Sequence, residues 1–481
     1  MEKAGSIGDH NLSGAIMDPS AIKQLFPDMD PAEIPSARAV GKERIYYLTG
    51  SRAIPVPIPP FLHNKGNLIV SMSEVARWLA KQAEAAGVMV FPSFPAAALL
   101  REGDAVVGVR TADRNAATDG APKSNYEPGM DLRAKVTVLA EGVRGRLARA
   151  YQSWQGISSE SPQIYSIGVK ELWEVPSAPT SVVHTLGFPL DYRMFGGSFM
   201  YPLSDTLLAL GVVVGLDHPS ASFDPHGLLQ KMKTHPFFRK VLQGGKRIEW
   251  GAKAIPEGGY QALPSRLSGE GVVVLGDSAG FVNVPSMKGI HYAMLSGILA
   301  AEAIAGAVKA SDVSASRLEE YDRSVSSSII GRDLYRMRNM RQAFGGNLYL
   351  GSAKSALIYG MRGWWPFRAD TEADNSAERL PIEISYPEPD GELTFTKVDS
   401  VGLTSNRTRG DMPSHLTVAE NVPSAVARFY EHLCPAGVYE VADDGSLVVN
   451  PSNCIDCMMT DVLAGQWSPR EGGSGARYRG M

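Results

Sequence analysis

The 481-residue chain is short of cysteine, of net charge and of long apolar runs, and each shortage excludes a class of protein. Three cysteines cannot form the disulfide framework of a small secreted scaffold. The 47 Lys and Arg residues nearly cancel 51 Asp and Glu, leaving a formal charge of −4, which argues against a nucleic-acid binder held by phosphate contacts. No run approaches the roughly 18 consecutive apolar residues of a spanning helix. The N-terminal MEKAGSIGDH lacks both the apolar centre of a secretory signal and the Arg-rich pattern of a transit peptide. No internal repeat points to a solenoid or propeller. The dinucleotide fingerprint G-x-G-x-x-G is missing throughout.

What is present suits a multidomain enzyme. At about 150 residues per domain the length predicts about three domains. Short β-type runs alternate with helical patterns, the mark of a mixed α/β or α+β fold. Lys135–Leu139 and Gly271–Gly276 read as buried strands, and Gly211–Gly215 lies in an antiparallel-looking region. Val75, Leu79, Ala83 and Ala86 share one face of a helix between Ser73 and Gly87. The best helical period follows Pro285-Ser286 and runs from Ile290 to Val308, with small residues that permit close packing on a sheet. Arg317–Gln342 reads as a further helical stretch, and clustered prolines put a domain change near residues 370–380.

Two turns have the chemistry of a flavin site. In GVVVLGDSAG (Gly271–Gly280), a strand delivers Asp277 to where a carboxylate accepts a ribitol hydroxyl, ahead of a helix whose N-terminus favours anions. The plainer reading is a βα turn capped by aspartate. KVTVLAEGVRGRLAR (Lys135–Arg149) ends a strand in a small-acidic-glycine turn at Glu141-Gly142. Met1-Glu2-Lys3 looks like the end of a second Rossmann strand whose acid binds the adenosine ribose, although a loose terminal charge is the simpler account. If Glu2 has that role, the missing fingerprint belongs about 20 residues upstream, before Met1. The chain then reads as N-terminally incomplete, with an exposed sheet edge.

All three cysteines lie after residue 430. Cys454-Ile455-Asp456-Cys457 can aim two sulfurs at one point, Cys434-Pro435 supplies a third, and the continuing rhythm reaches Thr460 instead of a fourth cysteine. Three readings stay open: an iron–sulfur centre on three thiolates, a zinc site completed by His432, and a lost site. Phe195-Gly196-Gly197-Ser198-Phe199 would let a flat ligand approach the backbone, or would simply make a bulge. Tyr46–Leu62 and Phe344–Phe367 are apolar without being spans. In the second, Trp364-Trp365 between Arg362 and Arg368 has the composition of a membrane interface, whereas packed core elements are the alternative.

Longer segments resemble one family. IGDHNLSGA (Ile7–Ala15), RAIPVPIPP (Arg52–Pro60), DGAPKSNYEPG (Asp119–Gly129), GVKELWEV (Gly168–Val175) and GGSFMY (Gly196–Tyr201) are similar to segments of electron-transfer flavoprotein:ubiquinone oxidoreductase. So are GGKRIEWGAKAIPEGG (Gly244–Gly259), NVPSMKGIHYAMLSGILAAE (Asn283–Glu302) and CPAGVYE (Cys434–Glu440). The resemblance implies a Rossmann-like FAD-binding fold split over residues 1–150 and 256–310, with a ubiquinone-binding β-rich domain at 151–255. A helical region at 311–378 and a ferredoxin-like iron–sulfur domain at 379–481 complete it.

The resemblance also implies sites and partners. FAD would meet Glu2, Ser13, Gly14, Glu141, Gly142, Gly276, Asp277 and Gly280. The quinone headgroup would approach Gly196 and Gly197, and Cys434, Cys454 and Cys457 would ligate a 4Fe–4S cluster. Segments 46–62 and 344–367 would dip into one leaflet of a membrane as a monotopic protein does. Electrons would pass from electron-transfer flavoprotein to ubiquinone, on the matrix face of the inner mitochondrial membrane or at a bacterial cytoplasmic membrane. That chemistry belongs to the cofactors and needs no acid–base triad, so His10, His184 and His291 have no assigned part. Two other functions compete: a flavin reductase of a lipid-like substrate without a cluster, and a cofactor-free paralogue acting as an interaction protein.

Overall fold

The computed structural model describes residues 1–345, 347–366, 371–464 and 467–481. A seven-stranded sheet dominates. Its strand order is Lys246–Pro256, Tyr165–Glu174, Leu207–Gly215, Gly196–Pro202, Ser181–Gly187, Lys42–Leu48 and Ala53–Val56. All neighbours are antiparallel except Ser181–Gly187 with Lys42–Leu48, which run parallel. That pairing draws the N-terminal hairpin into a sheet whose other strands come from residues 165–256. Within 46–62, Pro55 sits in the extended strand Ala53–Val56 at the sheet edge, where a missing N–H is tolerated, and a single 3-10 turn, Pro60–Leu62, follows.

Tyr165–Glu174 is buried along nearly its whole length because it has a neighbour on each side and covered faces. Its Glu171 is fully buried and is neutralised by Lys233 at 2.9 Å and Arg247 at 3.1 Å, while Trp173 Nε1 donates to it at 2.7 Å. Burying that carboxylate without both cations would cost several kcal/mol, on the order of 3–5. The same core continues into the C-terminal region, where Cys434, Tyr439 and Met459 pack with the sheet.

A smaller sheet pairs Thr137–Leu139 in parallel with Val272–Val274, which in turn pairs antiparallel with Ser268–Gly269. The outer side of Thr137–Leu139 has no partner strand among the described residues, and Val138 is 44% exposed there. The helix Ile290–Lys309 packs on this sheet through Tyr292, Ala300, Ala303 and Ala307. It is long and apolar enough by length and composition to cross a membrane, but those contacts make it a core helix here.

The helix expected between Ser73 and Gly87 spans Met72–Ala85. Ser71 Oγ accepts the Glu74 N–H at its start, and Gly87, at φ +87°, follows its end. The chain terminus also meets this helix: the Met481 carbonyl accepts from Ser71 Oγ and from the Ser73 N–H.

Two expectations need correction. Arg317–Gln342 is not one helix: Ala315–Ser327 ends where Ser328 turns extended and caps a second helix, Ile329–Arg336. Met1-Glu2-Lys3 is not a strand: Glu2 exchanges backbone bonds with Phe91 and Phe94 alone, too few for a ladder.

Candidate cofactor and quinone sites

Of the acidic residues expected at a flavin, Glu2 and Asp277 are half-buried and Glu141 is exposed. Asp277, in the short turn Gly276–Ser278 after its strand, is desolvated enough to push its carboxyl up to about 6, with Lys253 opposing the shift. It nevertheless keeps accessible surface. Glu141 is likewise accessible and raised by desolvation. Its oxygens accept the N–H groups of Leu147 at 3.1 Å and Ala148 at 2.8 Å, so it anchors the helix Arg146–Trp154. Gly142 and Gly280 both have positive φ, and a Cβ on Gly280 would press on Gln163. Gly276 donates its N–H to Ser296 Oγ at 3.1 Å. Ser13 is fixed by Lys170 Nζ, which donates to its carbonyl at 3.1 Å, and Gly14 beside it faces open space. Glu2 bends its carboxylate back to the Ala4 N–H at 2.8 Å.

Lys253 connects these groups to the cysteines, and sequence patterns do not reveal it. On the strand Lys246–Pro256 it donates Nζ to the Asp456 carbonyl at 2.8 Å. Burial lowers its ammonium to about 8, countered by Asp456, Cys457 and Glu2. Asp456 is buried between Arg470 at 2.8 Å and Lys3 at 2.7 Å, which hold its carboxyl far below the usual range despite desolvation.

Cys434, Cys454, Cys457 and Thr460 line one small cavity. Desolvation raises all three thiols, and each has a cation opposing the shift: Lys397 for Cys434, Arg470 for Cys454 and Lys253 for Cys457. Backbone N–H groups of Ala436 and Val438 point at the first sulfur, that of Asp456 at the second and that of Met459 at the third. Sulfurs that face cations and amide donors suit an anionic iron–sulfur group, whose metal charge would deprotonate them. Three thiols and a hydroxyl therefore fit such a cluster at three corners and leave the Thr460 corner weakly held.

His432 is not a partner of this cavity; it ends the helix Ser424–Leu433, and its carbonyl accepts from Lys397. The histidine near the sulfurs is His415, whose ring nitrogen lies 4.0 Å from Asp456 and within 4.8 Å of a Cys454 ligand atom. Because Asp456 is already taken by Arg470 and Lys3, the trio His415, Cys454 and Asp456 reads as a neutralised anchor for the loop.

The glycine pair opens the strand Gly196–Pro202. A Cβ on Gly196 would collide with the Val213 carbonyl and one on Gly197 with that of Thr185, so neighbouring strands require both glycines. Phe195 before them meets Phe344 at 5.0 Å between ring centres and lies under the Arg341 guanidinium.

The two apolar segments come together nearby. Tyr47 and Tyr349 share a hydrogen bond of 2.6 Å, and Phe61 packs on Tyr359 at 5.0 Å. Leu350, Leu357, Met361 and Trp364 remain exposed beside them. Gly346, Phe367 and Arg368 of the second segment lie outside the described residues.

Of the unassigned histidines, His10 is half-buried against the Ser474 carbonyl, and desolvation pushes its imidazole down to about 3. His291 opens the long helix against Tyr292, and His184 bonds Tyr201.

Two family models match parts of this chain. Residues 165–255 match the family "ETF-QO, ubiquinone-binding", and residues 391–479 match "Electron transfer flavoprotein-ubiquinone oxidoreductase, 4Fe-4S". The human protein named "Electron transfer flavoprotein-ubiquinone oxidoreductase, mitochondrial" is 39% identical over 516 residues, covering 100% of this chain and 84% of its own. The Caenorhabditis elegans relative of that name is 40% identical, with 100% and 86% covered. Among solved structures, a geranylgeranyl bacteriochlorophyll reductase-like protein from Thermoplasma acidophilum superposes with a TM-score of 0.56 at 18% identity. It covers 75% of this chain and 84% of its own, a likeness of fold. By identity and coverage, the chain belongs to the electron transfer flavoprotein–ubiquinone oxidoreductase family.

Proposed function

We propose that this chain takes electrons from reduced electron-transfer flavoprotein and delivers them to ubiquinone at one leaflet of a membrane. Bound FAD and a bound iron–sulfur cluster would supply the electron chemistry. The chain's own residues bind, orient and set charge. Asp277, Glu2 and the turns at Ser13-Gly14, Glu141-Gly142, Gly276 and Gly280 would hold FAD; Cys434, Cys454 and Cys457 would hold the cluster. Lys253 places one positive charge within reach of both sites. The quinone headgroup would lie beside Gly196 and Gly197, whose side-chain space the neighbouring strands already occupy, and Phe195 and Phe344 exclude water beside it.

The exposed apolar residues around Tyr47, Leu350, Leu357 and Trp364 would enter the leaflet without crossing it, as aromatic and aliphatic residues of interfacial proteins do. The relatives' names support a mitochondrial location, and the matrix side of the inner membrane suits a partner that carries electrons in solution. The domain limits follow from the same reading: FAD-binding at 1–150 and 256–310, quinone-binding at 151–255, a helical membrane-associating part at 311–378, and the iron–sulfur part at 379–481.

The observation that carries the proposal is the convergence of the three thiols and Thr460 on one cavity, beside which the Asp456 carbonyl accepts from Lys253. It also disfavours a cluster-free reductase. The test is anaerobic reconstitution with FAD, iron and sulfide, then addition of reduced electron-transfer flavoprotein and a short-chain ubiquinone. Ubiquinol should accumulate. A preparation that retains both cofactors and makes none refutes the proposal.

A further inference from the structure

His184, half-buried, and Tyr201, buried, form a titratable pair that the electron path does not use. His184 Nε2 and the Tyr201 hydroxyl share a hydrogen bond of 2.6 Å, and Phe199 stacks on Tyr201 with ring centres 4.8 Å apart. Residues two apart on a strand share a face, so Gly197, Phe199 and Tyr201 line up, and His184 is the register partner of Phe199. This face packs against Ala15 and Ile69, next to Ser13-Gly14. The pair therefore shares a face with Gly197 and packs beside Ser13-Gly14 of the proposed flavin site.

Both partners are held neutral. Desolvation pushes the imidazole down to about 4, reinforced by Lys288, and desolvation with Glu43 raises the phenol. A neutral imidazole beside a neutral phenol offers a proton donor and an acceptor without a buried charge.

The same face carries Glu43, on the side of the exposed His63. Glu43 pairs in register with Val182, two residues before His184. Its carboxylate accepts from Asn64 Nδ2 at 2.6 Å and lies 3.8 Å from His63 Nδ1, whose side chain is 56% exposed. Lys288 is the cation facing this group, between Glu43 and Asp18.

We propose that His184 and Tyr201 relay protons to the quinone oxygen at Gly197 and are recharged from water by way of Glu43 and His63. This rests on the reading of Gly196-Gly197 as the quinone site. Reducing a quinone to a quinol consumes two electrons and two protons. The family's activity supplies the electrons; at the quinone oxygen beside Gly197 an O–H bond forms as one O–H or N–H bond of the pair breaks, a proton from water restores the pair, and the second quinone oxygen takes its proton from water directly.

The test compares two acceptors on flavin-loaded protein: a short-chain ubiquinone, which takes protons, and ferricenium, which takes one electron and none. In Tyr201→Phe and His184→Gln, the ratio of quinone to ferricenium turnover should fall by about 100-fold, the usual worth of one positioned acid–base group. The solvent deuterium isotope effect on quinone turnover should rise. Glu43→Gln should lower the ratio in the same direction. An unchanged ratio in both Tyr201→Phe and His184→Gln overturns the relay, and so does an equal loss with both acceptors, which marks damaged packing. Unsubstituted protein that reduces ferricenium but not ubiquinone contradicts the quinone-site reading instead.

Discussion

Leu350 and Leu357 lie seven residues apart on the helix Leu348–Gly360, hence on one face, and are 62% and 60% exposed. Complete burial of a leucine side chain stabilises by about 1.5–3 kcal/mol, so the exposed fraction of each has about 1–2 kcal/mol to gain from entering lipid. Replacing both by serine should weaken association with phosphatidylcholine vesicles by about 2–4 kcal/mol, roughly 30- to 1000-fold in partition constant. Vesicle sedimentation across a lipid titration measures this directly. Because the contribution is apolar, the loss should persist at high salt, where electrostatic attraction to lipid is screened. Both residues project from the surface, so thermal stability should hardly change. A double variant that binds vesicles within threefold of the unsubstituted protein would refute the assignment of this face to the membrane.

Three further outcomes are expected. Thr460→Cys should raise iron and sulfide content per chain and slow the loss of iron to a chelator, since a thiolate replaces a hydroxyl at the weak corner; unchanged iron retention would show that Thr460 does not face the metal. Lys253→Met removes a cation within electrostatic reach of Cys457 and Asp277, and should lower the cluster midpoint by on the order of 60 mV, a tenfold shift for one electron; potentiometry with EPR detection reads it. Asp277 has a folded pKa of about 6 against 3.8 for the free group, so the folded apoprotein holds a proton that the unfolded chain releases. Its stability is therefore unpenalised below pH 3.8 and falls as pH rises toward 6, by up to about 3 kcal/mol. Asp277→Asn should flatten that dependence in urea titrations of the apoprotein, and an identical slope in both proteins argues against a desolvated carboxyl.

Local signals carried much of this architecture. Serine and glycine marked the ends of Met72–Ala85, and the small-residue period after Pro285 located Ile290–Lys309. The C-x-x-C spacing brought out two of the three sulfurs that line one cavity, because residues within one turn leave a short-range pattern. The rest depends on distant residues meeting. No window of sequence shows that Lys42–Leu48 runs parallel to Ser181–Gly187, that Lys3 reaches Asp456, or that His415 rather than His432 approaches Cys454. Lys253 looks like an ordinary strand residue until folding places Asp277 and Cys457 around it. The break at Ser328 escaped for a different reason: serine both tolerates a helix and caps one, and here Ser328 Oγ accepts the Ile330 N–H.

The most direct test of electron relay is rapid-freeze EPR of the reconstituted protein after mixing with reduced electron-transfer flavoprotein, with and without ubiquinone. An iron–sulfur signal should grow in the absence of quinone and decay when quinone is present, in step with ubiquinol formation. A signal that never forms, or one that ubiquinone leaves standing, contradicts the account.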